Sequence, residues 1–331
     1  MRAMILAAGY GTRLWPLTID RAKPALPFMG RPLVGYVAEY LARQGFSEVA
    51  VNLHHRPESV RAALGDGSRF GVRLTYVEEP VILGTGGALD NARDFFAHDE
   101  PFAVINGKLA TDIDLGAALR THREAGALAT LVLRPNPARE KYSTVDVREG
   151  LVRGFGAHPQ KSDDAGGAGE AGTPLMFTGI QILEPRIFEF IPRGVFSHTT
   201  SEAYPHAIER GEKIAAHVAR GKWYELSTIE RYLDTSVALM REANRSVEMG
   251  AGSRVEDGGE VSDAVLWEGV RVERGARVRR AVLGAGVTAR GGDDFEDVAV
   301  VRAELVRGSE RPEKAHAGET RGDNFVVKLP R

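Results

Sequence analysis

The sequence predicts an α/β protein with a doubly wound, mainly parallel sheet over residues 1–245 and a short left-handed parallel β-helix with a tail over residues 246–331. The first part rests on β-rich runs that alternate with helical patterns, which is typical of a parallel sheet covered on both faces. The second part rests on small aliphatic residues that recur every six positions after about Met249. A chain of 331 residues is long enough for two such domains.

The first third of the chain predicts four strands separated by three helices. The strands are predicted at Ala3–Ala7, Val49–Leu53, Leu74–Val77 and Phe102–Ile105, and the helices at Leu33–Gln44, Glu58–Leu64 and Ala88–Phe96. In such sheets the ligand lies beyond the carboxyl ends of the strands. We therefore expect the loops after Ala8, Leu53 and Ile105 to form the functional site.

Later elements are predicted with less regular spacing. The stretch Ala157–Thr173 is rich in Gly, Ala and Asp and indicates a mobile surface insertion. A strand at Phe177–Leu183, helical patterns at Glu202–Arg210 and Ile229–Arg241, and a last strand at Phe325–Val327 follow. The strand at Phe177–Leu183 and the two helical patterns belong to the first domain, and the strand at Phe325–Val327 belongs to the tail.

The period of six appears in two columns of aliphatic residues. The columns are Ala264, Val270, Ala276 and Val282, and beside them Leu266, Val272 and Val278, while Met249, Val255 and Val261 repeat upstream in a shifted phase. A helix would repeat at 3.6 residues and a strand at two, so neither accounts for this spacing. A parallel β-helix does, because each hexapeptide forms one flat side and points its aliphatic residues inward.

Composition excludes several classes of protein. The 43 basic and 45 acidic residues give a formal net charge of -2, which gives no reason to expect nucleic acid or a membrane as partner. The absence of cysteine excludes disulfides, thiolate metal sites and cysteine nucleophiles. No apolar run approaches the ~18 residues that span a bilayer, and the first apolar run ends too early for a signal peptide. We expect a cytoplasmic protein.

The run Leu6–Thr18 carries the strongest functional signal, and the segment Lys23–Pro27 follows it. A predicted strand ends in a glycine-bearing loop, and Arg13 stands two residues after the second glycine. Glycines let backbone N–H groups approach phosphate oxygens, and an arginine fork can pair with those oxygens. Lys23 adds a second cation. The spacing fits neither a Walker loop nor a dinucleotide-binding fingerprint, which would need a glycine at Leu14.

This run resembles the signature of the sugar-1-phosphate nucleotidyltransferase family, whose catalytic domain is Rossmann-like. The segments Asn52–His55, Leu83–Leu89, Phe177–Ile180 and Trp223–Thr228 add to the similarity, which covers about residues 2–242. The resemblance implies catalytic roles for Arg13 and Lys23 and sugar binding by Gly179 and Tyr142. It implies nucleotide binding by Leu6, Ala8, Gly9, Gly11, Thr12, Gly84, Thr85, Asn106 and Gly107.

The chemistry that this family performs needs few special groups. A sugar phosphate is mostly dianionic at neutral pH, because its second pKa is about 6. It can attack the α-phosphorus of a nucleoside triphosphate without a general base. The protein must position two anions and neutralise charge as pyrophosphate departs, and Mg²⁺ usually helps. The absence of a serine–histidine arrangement therefore does not count against this function.

The sequence departs from the family at the metal site. The family usually places an aspartate after Asn-Gly to hold Mg²⁺, and this chain has Lys108 there; the second aspartate is replaced by Glu225. Three accounts stay open. Asp112 could supply the lost ligand, so that Glu225 and Asp112 are the candidate metal ligands. Lys108 could serve as a fixed cation on the phosphates. Alternatively, the chain could be a non-catalytic subunit that senses nucleotide-sugars.

The favoured hypothesis is nucleotidyl transfer from a nucleoside triphosphate, GTP for preference, to a sugar 1-phosphate of the mannose or heptose type. A uridylyltransferase of the same family and a regulatory binding subunit are the alternatives. An acyltransferase built on the β-helix is disfavoured because His316 is the only histidine in that region. We expect self-association through the β-helix to give a homo-oligomer.

Overall fold

The structure is a computed structural model, and it describes residues 1–98, 100–156 and 173–330. Nine strands of the described residues form one sheet. They are β1 (Arg2–Leu6), β2 (Glu48–Leu53), β3 (Arg73–Glu78), β4 (Phe102–Asn106), β5 (Ala129–Pro135), β6 (Thr144–Arg148), β7 (Leu151–Gly156), β8 (Leu175–Leu183) and β9 (Ile214–Val218). Their order across the sheet is β3-β2-β1-β4-β8-β5-β9-β7-β6.

The sheet is mainly parallel, as predicted. Strands β3, β2, β1 and β4 pair in parallel, and β5 pairs with β9 in the same way. Strands β8 and β7 run antiparallel to their neighbours, which makes the sheet mixed. Because the first four strands share one direction, their carboxyl ends meet at one edge of the sheet.

Helices cover both faces of this sheet. They are α1 (Leu33–Arg43), α2 (Pro57–Leu64), α3 (Gly84–Asn91), α4 (Leu115–Ala125) and α5 (Tyr204–Glu209). The next helix, α6 (Ile229–Glu242), packs instead against the strands of the C-terminal region. Alternation along β1 shows the two faces, because Ala3 and Ile5 pack in the core that holds α1, α2 and α4, whereas Met4 packs in the core that holds α3 and α5. The doubly wound arrangement is therefore confirmed.

Single turns and short strands connect these elements. They are the 3-10 turns Thr12–Leu14, Lys23–Ala25, Ser68–Phe70, Arg93–Phe96 and Pro185–Glu189, the π turn Thr199–Ala203, and the strands Pro27–Phe28, Arg31–Pro32, Leu109–Thr111 and Trp223–Glu225. The predicted helix Ala88–Phe96 is misplaced, because α3 begins four residues earlier at Gly84 and ends at Asn91. The predicted insertion at residues 157–173 lies, except for Thr173, outside the described residues.

After α6 the chain forms a second set of sheets. Its strands are Val247–Met249, Arg254–Val255, Glu260–Ser262, Ala264–Leu266, Arg271–Val272, Arg277–Leu283, Thr288–Ala289, Asp294–Arg302, Gly318–Arg321 and Asn324–Lys328, with one short helix, α7 (Ala303–Val306). They form a seven-stranded mixed sheet and a three-stranded parallel sheet. The last strand contains the predicted Phe325–Val327. The predicted left-handed β-helix stays a prediction.

Parallel pairing in this region joins residues that are 17 positions apart. Val247 pairs with Ala264, and Arg271 pairs with Thr288. Three hexapeptides would make 18 residues, which is one more than the observed 17. The positions that point inward therefore shift by one residue, relative to the six-residue columns, from one strand to its parallel partner. For that reason Val282, which the six-residue column places inside, packs against the first domain, and its neighbours Ala281 and Leu283 lie inside instead.

The two regions share a hydrophobic core. Trp267, which is 2% exposed, donates its indole N–H to the hydroxyl oxygen of Tyr232 on α6 at 3.2 Å. Trp15 packs edge-on against Phe325 of the last strand, with ring centroids 5.5 Å apart. The division at residue 245 is therefore crossed by buried contacts. Among the described residues, no helix is long and apolar enough to cross a membrane.

Candidate active site

The turn after β1 is shaped by Gly11, whose φ of 68° lies in the left-handed region that favours glycine. Its carbonyl accepts the N–H of Leu14 at 2.9 Å and the hydroxyl of Thr18 at 3.3 Å. A Cβ on Gly11 would lie 2.9 Å from the Cβ of Lys23, so glycine lets the two cation-bearing segments pack together. Apart from Gly9 and its two chain neighbours, no described residue has an atom within 4 Å of the place where a Cβ of Gly9 would stand. The turn is therefore open on one side.

The remaining residues that were predicted in this loop flank the turn. Leu6 ends β1, and its carbonyl accepts the N–H of Gly107 at 2.9 Å. Ala8 is buried at 8% exposure, and Thr12 begins the 3-10 turn that carries Arg13. The ends of β1 and β4 are thus joined by a backbone hydrogen bond, as expected for two strands whose loops form one site.

A cavity of about 370 Å³ opens beside this turn. Four cationic side chains, Arg13, Lys108, Lys141 and Arg231, line it together with one carboxylate, Glu225. Arg13 is exposed and makes no hydrogen bond or ion pair with any part of the chain that the structure describes. The excess of positive charge favours an anionic ligand, and the free guanidinium of Arg13 has its hydrogen-bond donors available.

Gly179 brings β8 close to the end of β4. Its φ is 79°, and it lies where the pairing register of β8 shifts, between Phe177 and Ile180. A Cβ at this position would lie 2.0 Å from Nδ2 of Asn106. A Cβ on Gly107 would lie 2.9 Å from a side-chain carbon of Ile5. The structure therefore brings together Asn106, Gly107 and Gly179, and their roles in ligand binding stay predictions.

Lys108 and Glu225 form an ion pair across the base of the cavity. The ammonium of Lys108 donates to Oε1 of Glu225. The other carboxylate oxygen, Oε2, accepts Nη1 of Arg231 at 3.0 Å and the hydroxyl of Ser227 at 3.1 Å. Burial alone would raise the pKa of the Glu225 carboxyl, but the charge and hydrogen bond of Lys108, with the charge of Lys23 and the hydroxyl of Ser227, together outweigh burial, so the pKa is lowered. Glu225 is therefore ionised and fully engaged.

Tyr142 also lines the cavity. Its hydroxyl oxygen accepts a hydrogen bond from Arg231, and its ring packs edge-on against Trp223 with centroids 5.4 Å apart. Burial, with the negative charge of Glu225 nearby, raises the pKa of Tyr142 to about 12. Tyr142 thus stays protonated at neutral pH and can offer its hydroxyl to a ligand in the cavity.

Asp112 lies at the far end of a two-stranded ribbon from Glu225. The strand Leu109–Thr111 pairs with Trp223–Glu225, so that Glu225 lies opposite Leu109. Asp112 follows the other end of this strand, where Oδ1 accepts the backbone N–H of Lys222 at 2.5 Å. The structure therefore does not bring the two candidate metal ligands together. Within the described ranges, no group of three His, Asp or Glu side chains could hold a metal ion.

Asn52 and Glu79 form a buried polar network that the sequence analysis did not predict. Oδ1 of Asn52 accepts the N–H of Ala7 at 2.6 Å, and its Nδ2 donates to Oε1 of Glu79 at 2.7 Å. Oε2 of Glu79 accepts the N–H of Leu83 at 3.1 Å. Burial raises the pKa of Glu79. These hydrogen bonds join the segments at the carboxyl ends of β1, β2 and β3. The signal in the sequence that could have revealed this network is the polar Asn52 inside an otherwise apolar strand.

The segment Leu83–Leu89, which the family resemblance places beside the nucleotide base, packs against residues 195–199. Gly84 has a φ of 74°, and a Cβ on it would lie 2.4 Å from the carbonyl oxygen of Ser197. The hydroxyl of Thr85 accepts the N–H of Thr199 at 3.0 Å. Neither Gly84 nor Thr85 lines the cavity of Arg13. The structure gives both residues a role in joining two loops, and their contact with a base stays a prediction.

Lys23 is partly buried behind the turn. Burial, with the neighbouring charges of Lys108 and Arg13, lowers the pKa of Lys23 to about 7, although Glu225 opposes this shift. The lowered pKa brings the loss of the Lys23 charge close to neutral pH. An anionic ligand favours the charged form and should raise this pKa.

We expect Lys23 to take up a proton when a nucleoside triphosphate binds above pH 7. At pH 8 the free side chain is mostly neutral, whereas the bound side chain is charged, so uptake should approach one proton per ligand. Calorimetry in buffers that differ in ionisation enthalpy measures this number. The variant Lys23→Met should lose the uptake. A binding enthalpy for the wild-type protein that is equal in all buffers would contradict the assignment.

A cationic cleft at the carboxyl edge of a doubly wound sheet defines an α/β protein that handles phosphorylated ligands. The family model described as nucleotidyl transferase matches residues 2–242. The chain belongs to the nucleotidyl transferase family. This confirms the resemblance on which the residue roles above were predicted.

Three curated relatives show the breadth of this family. A UTP–glucose-1-phosphate uridylyltransferase of Synechocystis is 29% identical over 75% of this chain and 66% of its own length. A mannose-1-phosphate guanylyltransferase of Mycobacterium tuberculosis is 31% identical over 80% and 72%. An N-acetylmuramate alpha-1-phosphate uridylyltransferase of Neisseria meningitidis is 34% identical over 70% and 95%. The chain thus spans about two thirds of the first of these relatives and almost all of the third.

A solved structure supports the fold. The crystal structure of HddC from Yersinia pseudotuberculosis, complexed with GMP-PN, aligns with a TM-score of 0.60 at 22% identity. The alignment covers 72% of this chain and 99% of that chain. This similarity confirms the α/β fold.

Proposed function

We propose that the protein transfers a nucleoside monophosphate from a nucleoside triphosphate, GTP for preference, to a sugar 1-phosphate of the mannose or heptose type. The observation that carries this proposal is the cavity beside the β1 turn, which four cations line and in which Arg13 has no partner within the described chain. Such a cavity suits two phosphorylated ligands that must meet. The family membership gives the reaction class.

The reaction requires charge stabilisation and alignment. A phosphate oxygen of the sugar 1-phosphate forms a bond to the α-phosphorus, and the bond from that phosphorus to the α–β bridging oxygen breaks. The electron pair of the broken bond leaves with pyrophosphate, and no proton has to be removed. Arg13 and the charged form of Lys23 neutralise the departing phosphates, which lowers the barrier most where water is excluded.

Members of this family typically use a divalent metal ion, and Mg²⁺ is the cofactor that the resemblance implies. The described residues do not fit a Mg²⁺ ion that the protein itself holds. Magnesium prefers a near-octahedral set of oxygen ligands. Oε1 of Glu225 is taken by Lys108 and Oε2 by Arg231 and Ser227, while Asp112 lies beyond reach. We therefore derive no step through the metal.

Two alternatives follow from particular observations. The uridylyltransferases among the relatives favour UTP as the donor, whereas the guanylyltransferase of Mycobacterium tuberculosis favours GTP. Lys108 in the place of a metal-binding aspartate favours a subunit that binds nucleotide-sugars without turnover.

A pyrophosphate-release assay of each nucleoside triphosphate against a panel of sugar 1-phosphates separates these functions. Turnover with GTP and mannose or heptose 1-phosphate supports the proposal, and turnover with UTP supports the uridylyltransferase. If no pair turns over and calorimetry detects tight binding of a nucleotide-sugar, the proposed activity is wrong and the chain is a binding subunit.

The C-terminal strands supply the second part of the proposal. Residues 247–302 wind as a left-handed parallel β-helix, and the protein self-associates through its open first turn. Met249 and Val255 stand 17 residues before the buried Leu266 and Val272, yet they are 47% and 36% exposed. Among the residues that the structure describes, no earlier turn covers these inward positions. Burying them against a second copy of the chain would remove apolar surface from water.

We expect the double variant Met249→Lys/Val255→Lys to have a lower oligomer mass than the wild-type protein in light scattering. Two buried charges at the contact would oppose association. Val218→Lys, which changes an exposed valine on β9, is the matched control and should keep the wild-type mass. Equal masses for the wild type and the double variant would contradict this role of the first turn.

A further inference from the structure

Lys108 lines the cavity and is paired with the carboxylate of Glu225. Its backbone follows Asn106 and Gly107 at the carboxyl end of β4, and its ammonium reaches Oε1 of Glu225. The Lys108 side chain is 28% exposed, whereas that of Glu225 is 11% exposed. The ammonium thus faces the cavity with its remaining N–H donors while the carboxylate lies behind it. The carboxylate of Glu225 therefore holds the ammonium of Lys108 in position at the cavity.

The charges of the site are balanced without a metal ion. An aspartate that binds Mg²⁺ brings one negative and two positive charges, which together leave one positive charge. Lys108 brings the same single positive charge on its own, and Glu225 is the anion in both cases. A divalent cation in addition would meet Lys108 and Arg231 at close range.

We propose that the ammonium of Lys108, held by Glu225, takes the place of the divalent ion at the α-phosphate, so that nucleotidyl transfer needs no metal bound by the protein. This inference rests on the proposed function. Lys108 donates hydrogen bonds to a non-bridging α-phosphate oxygen while the sugar phosphate oxygen bonds to the α-phosphorus and pyrophosphate leaves. The ammonium gains or loses no proton in this step. Glu225 is a positioning residue that fixes the ammonium.

The first test compares pyrophosphate release in excess EDTA with release in Mg²⁺, for the wild type and for Lys108→Asp. The wild type should keep at least about half of its rate in EDTA, since its cation is covalently attached. Lys108→Asp should lose more than roughly tenfold in EDTA and recover in Mg²⁺, as expected for a site whose charge has to come from a metal ion. Lys141→Asp, with the same change of charge in the same cavity, should acquire no such dependence.

A second readout does not depend on turnover. Calorimetry with Mn²⁺ alone should detect no site on the wild-type protein and a new site on Lys108→Asp, where two carboxylates would lie close together. Thermal melts in EDTA show that the variants fold. Lys108→Met, which removes the charge and keeps the shape, should lose activity in both EDTA and Mg²⁺. For Glu225→Gln we expect a lower kcat with little change in KM, and Glu225→Asp should restore part of the kcat.

The outcomes separate the inference from the proposed function. Turnover by the wild type that EDTA abolishes and Mg²⁺ restores would overturn the role of Lys108 and leave nucleotidyl transfer intact. If no pair of substrates turns over, GTP binding in EDTA decides: binding that Lys108→Met weakens at least tenfold supports the fixed cation, and binding only in Mg²⁺ overturns it. No nucleotide binding under either condition would overturn both.

Discussion

Charge reversal at Arg13 is expected to lower kcat/KM for nucleotidyl transfer on the order of a thousandfold, as the loss of a phosphate-binding arginine does in other phosphoryl transfers. The guanidinium has no partner within the described chain, so it is free for phosphate oxygens. A glutamate would remove that fork and add a charge that repels the triphosphate. The folded state should be almost unaffected, because Arg13 is exposed.

Pyrophosphate release and calorimetric titration with GTP measure this effect for Arg13→Glu. Arg123→Glu, which reverses an exposed charge on α4, is the matched control and should leave both quantities within about twofold of the wild type, as surface substitutions usually do. Unchanged nucleotide affinity in Arg13→Glu would show that the β1 turn is not the phosphate site, and the proposed function would then lose its main support.

The substitution Gly179→Ala is expected to cost about 2–5 kcal/mol of unfolding free energy and most of the activity. A left-handed backbone conformation costs an alanine about 1–2 kcal/mol. The new Cβ would also stand 2.0 Å from Nδ2 of Asn106, and forcing such an overlap apart costs about 1–3 kcal/mol more. Because Asn106 lines the cavity, its displacement should disturb ligand binding as well.

Denaturant unfolding and pyrophosphate release measure the two effects of Gly179→Ala. Gly45→Ala is the matched control, since Gly45 has a φ of 86° and nothing lies within 4 Å of its added Cβ. The control should show the backbone cost alone and keep its activity. Adding Asn106→Ala to Gly179→Ala should restore part of the stability without restoring activity. Equal losses of stability for Gly45→Ala and Gly179→Ala would argue against the close packing on Asn106.

The parts of the fold that the sequence predicts well depend on local patterns. Strands β1, β2, β3 and β4 were placed within about two residues, because each is a short apolar run between turn residues. The start of α3 at Gly84 was missed because three of its first four residues are glycines, which are poor helix formers. Packing against residues 195–199 stabilises that turn, and such a contact leaves no local signal.

The candidate site was predicted only in part for the same reason. The glycines and Arg13 lie in one continuous run, so their common role was readable. The partner of Lys108 is Glu225, 117 residues later, and Asp112 looked nearer along the chain although it lies at the wrong end of its strand. The offset of 17 residues in the C-terminal strands was likewise hidden, because it differs from three hexapeptides by a single residue.

The contact between Trp15 and Phe325 links the segment after Arg13 to a strand of the C-terminal region. Trp15 lies two residues after Arg13, and Phe325 belongs to the strand Asn324–Lys328, so this strand braces the segment that carries Arg13. Fraying of the C-terminal strand would remove the support of the segment that carries Arg13. We therefore expect ligand binding by Arg13 to weaken when the strand Asn324–Lys328 is destabilised.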